Sequence, residues 1–144
     1  MENSTNILVA LELILEIDDK IMHKALDAAN KQSANLNVVH VIDAVGEHGM
    51  VSPEFLSQDF EERQDDAIKK ISELGFQFKV PKENRFVKVG GVKEVMVDLI
   101  RSIDASLLVV GNHSRHGFDT WFHWNHTINL VKHIDCDVLA VRVF

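Results

Sequence analysis

The chain has 144 residues, 46% of them hydrophobic, which is enough to bury the core of one domain, expected over residues 1–144. Its formal net charge of −7 argues against nucleic acid or an anionic membrane as the main partner. The single cysteine excludes an internal disulfide, and no apolar run approaches the ~20 residues needed to span a bilayer. We therefore expect a soluble, cytoplasmic protein.

The amino-terminal segment predicts a strand, an apolar loop and a helix. Ile7 to Leu11 is a short run of mostly branched apolar residues, typical of a strand covered on both faces. The loop after it begins with Leu13 to Leu15 and is unusually apolar. Ile17 to Gln32 carries apolar residues on one face and predicts an amphipathic helix. Asp18 and Asp19, in its first turn, suit the helix dipole.

A second strand and a second helix follow. Leu36 to Ile42 predicts the strand, and its His40 is interpreted as a satisfied core or edge residue. Ser52 and Pro53 predict the start of the helix, as N-cap and first helical residue. Gly75 is well placed to end it.

The rest of the chain continues the alternation of strands and helices. Phe86 to Val89 predicts a third strand, and Val92 to Ile103 repeats apolar residues at helical spacing. Ser106 to Val110 predicts a fourth strand that breaks at Gly111. The end of a helix and a fifth strand are predicted over residues 127–134 and 138–143.

This alternation predicts an α/β domain with a parallel sheet and helices on both faces. In such sheets, ligands bind beyond the carboxyl ends of the strands. The residues expected just past those ends are Glu12, Asp43, Gly90 and Gly111.

Five segments are spread over the whole chain: ILVALE at 7–12, LNVVHVID at 36–43, FVKVGG at 86–91, DASLLVVGNHS at 104–114 and CDVLAVRV at 136–143. In order and spacing they resemble the universal stress protein family. The resemblance implies a Rossmann-like, five-stranded parallel sheet in the order 3-2-1-4-5. It also implies a homodimer, commonly paired through the last strand, here Val138 to Val143, and a role in stress survival without an agreed chemical activity.

One kind of member in this family binds ATP. Such members carry a motif after the fourth strand that consists of Gly-x-x-Gly, nine further residues, and then Gly-Ser or Gly-Thr. Gly111 matches the first glycine, but the second falls on Ser114 and the final pair on Trp124 and Asn125. A tryptophan there would fill the space that a triphosphate needs. We therefore expect no ATP cofactor, and a regulatory or protective role through homodimer or partner contacts.

The alternative is an atypical member that binds ATP or AMP. The resemblance would then give three residues to the nucleotide site. Glu12 stands where the family usually has an aspartate, Val41 matches a position that lines the adenine pocket, and Gly111 remains from the phosphate motif.

Four histidines form a further pattern. His113 and His116 are separated by two residues, as are His123 and His126, and two such pairs could bind Zn²⁺ or Ni²⁺. No cysteine or carboxylate is spaced to complete a known site. The favoured interpretation is therefore a polar loop and helix start without a metal, and a histidine-rich metal site is the alternative.

The aromatic and nucleophilic residues have simpler interpretations. Trp121, Phe122 and Trp124 would cover the vacated nucleotide pocket or form a contact surface. Ser114 lies beside histidines, but adjacent residues rarely have the geometry of a nucleophile and its base. Cys136 precedes a buried strand and is interpreted as structural. No catalytic residue is assigned, and we expect that the protein is not an enzyme.

Overall fold

A computed structural model of the chain describes residues 5–44, 60–112 and 132–143. Its five strands are all parallel and lie in the order β3-β2-β1-β4-β5, which confirms the predicted α/β fold and sheet order. Among the described residues, no helix is both long and apolar enough to cross a membrane. The elements are β1 (Asn6–Ala10), α1 (Leu15–Gln32), β2 (Asn35–Asp43), α2 (Phe60–Gln77), a short 3-10 helix (Lys82–Asn84), β3 (Arg85–Gly90), α3 (Val92–Ile103), β4 (Ala105–Asn112) and β5 (Asp137–Arg142).

The sheet has an apolar cluster on each face. Ile7 of β1 packs in a cluster with Ile21 of α1 and Ile71 of α2, whereas Leu8 packs on the other face with Met96 of α3. Alternate residues of a strand point to opposite faces, so a strand covered on both sides is apolar throughout. This explains the continuous apolar run of β1, each of whose large side chains contributes about 1.5–3 kcal/mol by burial.

Helix α2 does not end at Gly75, contrary to the prediction. It continues to Gln77, and Gly75 is buried within it. A Cβ atom at Gly75 would overlap Nε of Arg85 and lie 2.8 Å from its Cδ. Nε of Arg85 donates a hydrogen bond to the carbonyl of Val80 at 2.9 Å. The glycine therefore admits a side chain from β3, and the predicted helix start at Ser52 lies outside the described residues.

Strand β4 does not break at Gly111, which corrects a second prediction. The strand runs to Asn112, and Gly111 is buried and pairs with Val141 of β5. Because β5 offers a partner along this whole length, the ladder of hydrogen bonds continues through the glycine. In the segment predicted as a helix end, Lys132 and His133 form a turn, and the residues before them lie outside the described part.

Candidate functional site

The three residues predicted for a nucleotide site lie near one another at the carboxyl edge of the sheet. Glu12 follows β1, which pairs with β2 on one side and β4 on the other, and those strands carry Val41 and Gly111. All three are buried: Glu12 is 6% exposed and Val41 is 0% exposed. The position of these residues at one edge of the sheet could be predicted from the sequence. Their burial is seen only in the structure.

Asp18, which was not predicted to lie at this edge of the sheet, closes the loop after β1 with its carboxylate. Oδ1 of Asp18 accepts a hydrogen bond from the amide of Glu12 at 2.9 Å, and Oδ2 accepts one from the amide of Leu13 at 2.8 Å. Asp18 is only 2% exposed. The first turn of α1 is thus bonded directly to the end of β1.

The backbone of the same loop adopts an unusual conformation. Leu13 has a φ of 62°, in the left-handed region, which costs a non-glycine residue about 1–2 kcal/mol. The N-cap residue of α1 is Ile14, whose aliphatic side chain contains no acceptor for the helix amides. Asp18 accepts from the amides of Glu12 and Leu13, which precede the helix, so it stabilises the loop and does not cap the helix. Leu13 to Leu15 offer no side-chain acceptor, and this lack beside an acidic first turn is the signal by which the role of Asp18 could have been found.

Burial changes the acidity of this carboxyl group. Loss of solvent raises the pKa of Asp18 to about 6, and the nearby charge of Glu12 adds to the increase. The two amide hydrogen bonds and the ammonium of Lys70 lower the pKa but do not cancel the effect of burial. Asp18 is therefore a buried acid whose pKa lies well above that of an ordinary aspartate.

His40 lies beside the same loop, on the face of the sheet that α2 covers. Its Nδ1 is 2.8 Å from the carbonyl oxygen of Leu11, so a proton on Nδ1 is donated to that oxygen. Burial lowers the pKa of His40, and the positive charges of Arg63 and Lys70 lower it further, against the effect of the bond to Leu11. His40 is a satisfied, partly buried residue, which confirms its interpretation from the sequence.

Cys136 packs against the cluster under α3 and is half-buried. Burial raises the pKa of its thiol, and the charges of Asp137 and Asp135 raise it further. The thiol is therefore the predominant form at neutral pH, and a thiol is a poor nucleophile. This environment suits the structural interpretation of Cys136.

Several predicted features lie outside the described residues: Ser114, Trp121, Phe122, Trp124, Asn125 and the four histidines at 113, 116, 123 and 126. The metal alternative for those histidines stays a prediction. Within the ranges 5–44, 60–112 and 132–143, no group of three or more histidine, cysteine, aspartate or glutamate side chains is arranged to hold a metal ion.

Comparison with known proteins gives the family directly. The sequence model described as the Universal stress protein family matches residues 3–142. The chain is 30% identical over 145 residues to Universal stress protein A homolog 2 of Coxiella burnetii, covering 99% of this chain and 98% of the relative.

Solved structures agree on the fold. Universal stress protein UspA from Lactobacillus plantarum superposes with a TM-score of 0.71 at 20% identity, over 99% of this chain and 100% of that one. A universal stress protein solved in complex with cAMP superposes with a TM-score of 0.60 at 17% identity, over 99% and 100% of the two chains. The family match over nearly the whole sequence, the relative at 30% identity and the shared sheet show that the chain belongs to the universal stress protein family.

Proposed function

We propose that this chain is a universal stress protein with a regulatory or protective role in the cytoplasm, which acts through homodimer or partner contacts. It does so without binding ATP and without catalysing a reaction. The observation that supports this most directly is the covered edge of the sheet, where Val41 is 0% and Glu12 6% exposed. Val41 lies in the apolar cluster that contains Met96 and Leu108, so a nucleotide that contacted its side chain would first have to disturb that cluster.

The closed loop after β1 supports the same proposal. The amides of Glu12 and Leu13 already donate to the Asp18 carboxylate, so they are not available to a ligand while that carboxylate stays in place.

An atypical nucleotide-binding member is the second candidate. The solved family structure in complex with cAMP favours it, since that protein has the same fold and binds an adenine nucleotide. Here the nucleotide, ATP or AMP, would use Glu12, Val41 and Gly111. The retained Gly111, at the carboxyl end of β4, is the residue that best fits this alternative.

The nucleotide carried by the purified protein distinguishes the two candidates. The protein is purified without added nucleotide and denatured, and the released small molecules are separated by anion exchange with detection of adenine absorbance. Our proposal predicts an amount of adenine nucleotide far below one molecule per chain. A stoichiometric amount would establish the nucleotide-binding alternative.

The proposed homodimer uses the edge of the sheet at β5. Among the described strands β5 is the last in the sheet order, and Leu139 on this strand is 37% exposed. Val141 and Val143, at 5% and 2% exposed, instead pack in the core against α1. Charging either valine would damage the core of one chain, so Leu139 is the residue that tests the interface. An exposed apolar edge strand favours pairing with a second copy.

Leu139→Asp should therefore produce monomers in light scattering, with the circular dichroism spectrum unchanged. Phe76→Asp is the matched control, because Phe76 is an 83% exposed apolar residue on α2, away from this edge. A Leu139→Asp protein that remains dimeric would place the interface elsewhere.

A further inference from the structure

A slot between α1 and α2 is left unused by the proposed function. Its volume is about 370 Å³, within the roughly 300–1,000 Å³ range of small-molecule sites. One wall is a stripe of α2 formed by Lys70, Glu73, Leu74 and Gln77. Glu73 and Leu74 each lie three or four positions from both Lys70 and Gln77, so the four residues share one face of the helix. We call this cavity the α1–α2 slot.

The opposite wall is the apolar loop after β1. It contributes Leu13, in its left-handed conformation, and Leu15, together with the buried Asp18. Leu15 is 78% exposed and its neighbour Ile14 is 44% exposed. Two consecutive large aliphatic side chains exposed at a helix start, where serine, threonine or aspartate would stabilise the helix, have no explanation in local structure. An apolar ligand in the slot would cover the exposed side chain of Leu15 and would extend the packing of Leu13 against the core.

The charges that line the slot select the polar group of such a ligand. Among the described residues of the lining, Asp18 and Glu73 contribute carboxylates and Lys70 contributes the only cation. The ammonium of Lys70 is 3.1 Å from a carboxylate oxygen of Asp66, which partly offsets its charge. The net charge of the described lining residues is negative, which favours a cation and disfavours a carboxylate or phosphate.

We propose that the α1–α2 slot binds a small amphipathic amine. Its aliphatic or aromatic body lies against Leu13, Leu15 and Leu74, and its protonated amine lies toward the carboxylates of Asp18 and Glu73. The site is on the side of the sheet that α1 and α2 cover. The proposal does not depend on whether a nucleotide binds at the carboxyl edge.

Three probes with the same alkyl chain test the selectivity. Octylamine, octanol and octanoate are titrated into the full chain at neutral pH and followed by calorimetry and amide chemical shifts. We expect octylamine to bind most tightly and octanoate least, with shifts concentrated at the loop after β1 and along α2. Octanoate that binds as tightly as octylamine, or octylamine that produces no saturable shift in these segments, would overturn the proposal.

Two variants with exposed side chains test the site itself. Glu73→Gln removes one carboxylate and keeps its shape, and should weaken octylamine about tenfold. Leu15→Ser removes the exposed apolar contact and should weaken it about fivefold. Phe76→Ser, also on an exposed apolar residue but outside the slot lining, should bind octylamine as the wild type does. Wild-type affinity in either slot variant, or an equal loss in Phe76→Ser, contradicts the proposal.

Discussion

Oδ2 of Asp18 accepts a hydrogen bond at 2.8 Å from the amide of Leu13, a residue held at a φ of 62°. The left-handed backbone costs about 1–2 kcal/mol, whereas a hydrogen bond to a charged group contributes roughly 1.5–3 kcal/mol. The second oxygen of Asp18 accepts from Glu12, so the carboxylate can stabilise a turn that leucine would otherwise disfavour. The same contact closes the sheet edge and shapes one wall of the α1–α2 slot.

Asp18→Ala should destabilise the protein by about 1–2 kcal/mol at neutral pH in urea denaturation. Without the Asp18 carboxylate, the amides of Glu12 and Leu13 lose their hydrogen-bond acceptor. An unsatisfied buried group destabilises the fold by about 1–3 kcal/mol. Removal of a buried negative charge offsets part of that cost.

Asp19→Ala is the matched control for this change. The carboxylate of Asp19 is 3.4 Å from the imidazole of His23 on the surface of α1, and surface pairs contribute about 0–1 kcal/mol. Equal effects of the two substitutions would show that the buried carboxylate of Asp18 has no special role.

The cost of Asp18→Ala should grow as the pH falls. The folded pKa of Asp18, about 6, lies above its ordinary value of 3.8, so the folded chain binds this proton more tightly than the unfolded chain. Asp18 therefore adds stability that is fully present below pH 3.8 and is lost as the pH rises through about 6. The groups that face it are Glu12, at the end of β1, which raises this pKa, and Lys70 of α2, which lowers it.

Urea denaturation of the wild type and Asp18→Ala from about pH 7 to about pH 4 measures this linkage, and we expect the difference in unfolding free energy to increase by about 2 kcal/mol. If the difference in unfolding free energy stays constant or decreases toward acid pH, the pKa of Asp18 is not raised in the folded chain.

His40 should titrate below its ordinary pKa of 6.5, because burial and the charges of Arg63 and Lys70 disfavour its charged form. The sign is opposite to that of Asp18: the stability from neutral His40 is present above pH 6.5 and is lost as the pH falls through the lowered pKa. An NMR titration of the ring Cε1 proton measures the midpoint directly. A midpoint at or above 6.5 would show that the ring is hydrated or that it is hydrogen-bonded to a group other than the carbonyl of Leu11.

Gly75→Ala should destabilise the protein by about 1 kcal/mol, although alanine is favoured over glycine inside a helix by a similar amount. The added Cβ would displace Arg85, whose Nε donates to the carbonyl of Val80, and overpacking costs about 1–3 kcal/mol. Ser72→Ala, at an exposed position of the same helix, is the control and should be neutral or slightly stabilising. A stabilised Gly75→Ala would mean that Arg85 moves aside without loss.

The fold could be predicted from the sequence because hydrophobic periodicity carries it. The helix predicted from Val92 to Ile103 matches α3 residue for residue, and the run Ile7 to Leu11 is β1 shifted by one position. Gly75 misled the prediction because its role depends on Arg85, which belongs to a strand later in the chain. A glycine that ends a helix and one that admits a neighbour look alike in sequence.

The candidate site was less predictable for similar reasons. The family resemblance placed Glu12, Val41 and Gly111 at one edge, but their burial depends on how the helices pack over the sheet. Asp18 stabilises a helix start through the dipole wherever its side chain lies, so the pattern did not distinguish that role from the bond to Leu13. Both the burial of these three residues and the role of Asp18 depend on contacts between different secondary-structure elements and loops.

Isothermal titration of the nucleotide-free protein with ATP, AMP and cAMP is the most direct test of whether this chain binds a nucleotide. The covered Val41 and the amides held by Asp18 predict no saturable heat for any of the three at millimolar concentration, and no rise in melting temperature. A saturable isotherm with one nucleotide per chain, accompanied by a higher melting temperature, would contradict the account and establish a nucleotide-binding stress protein.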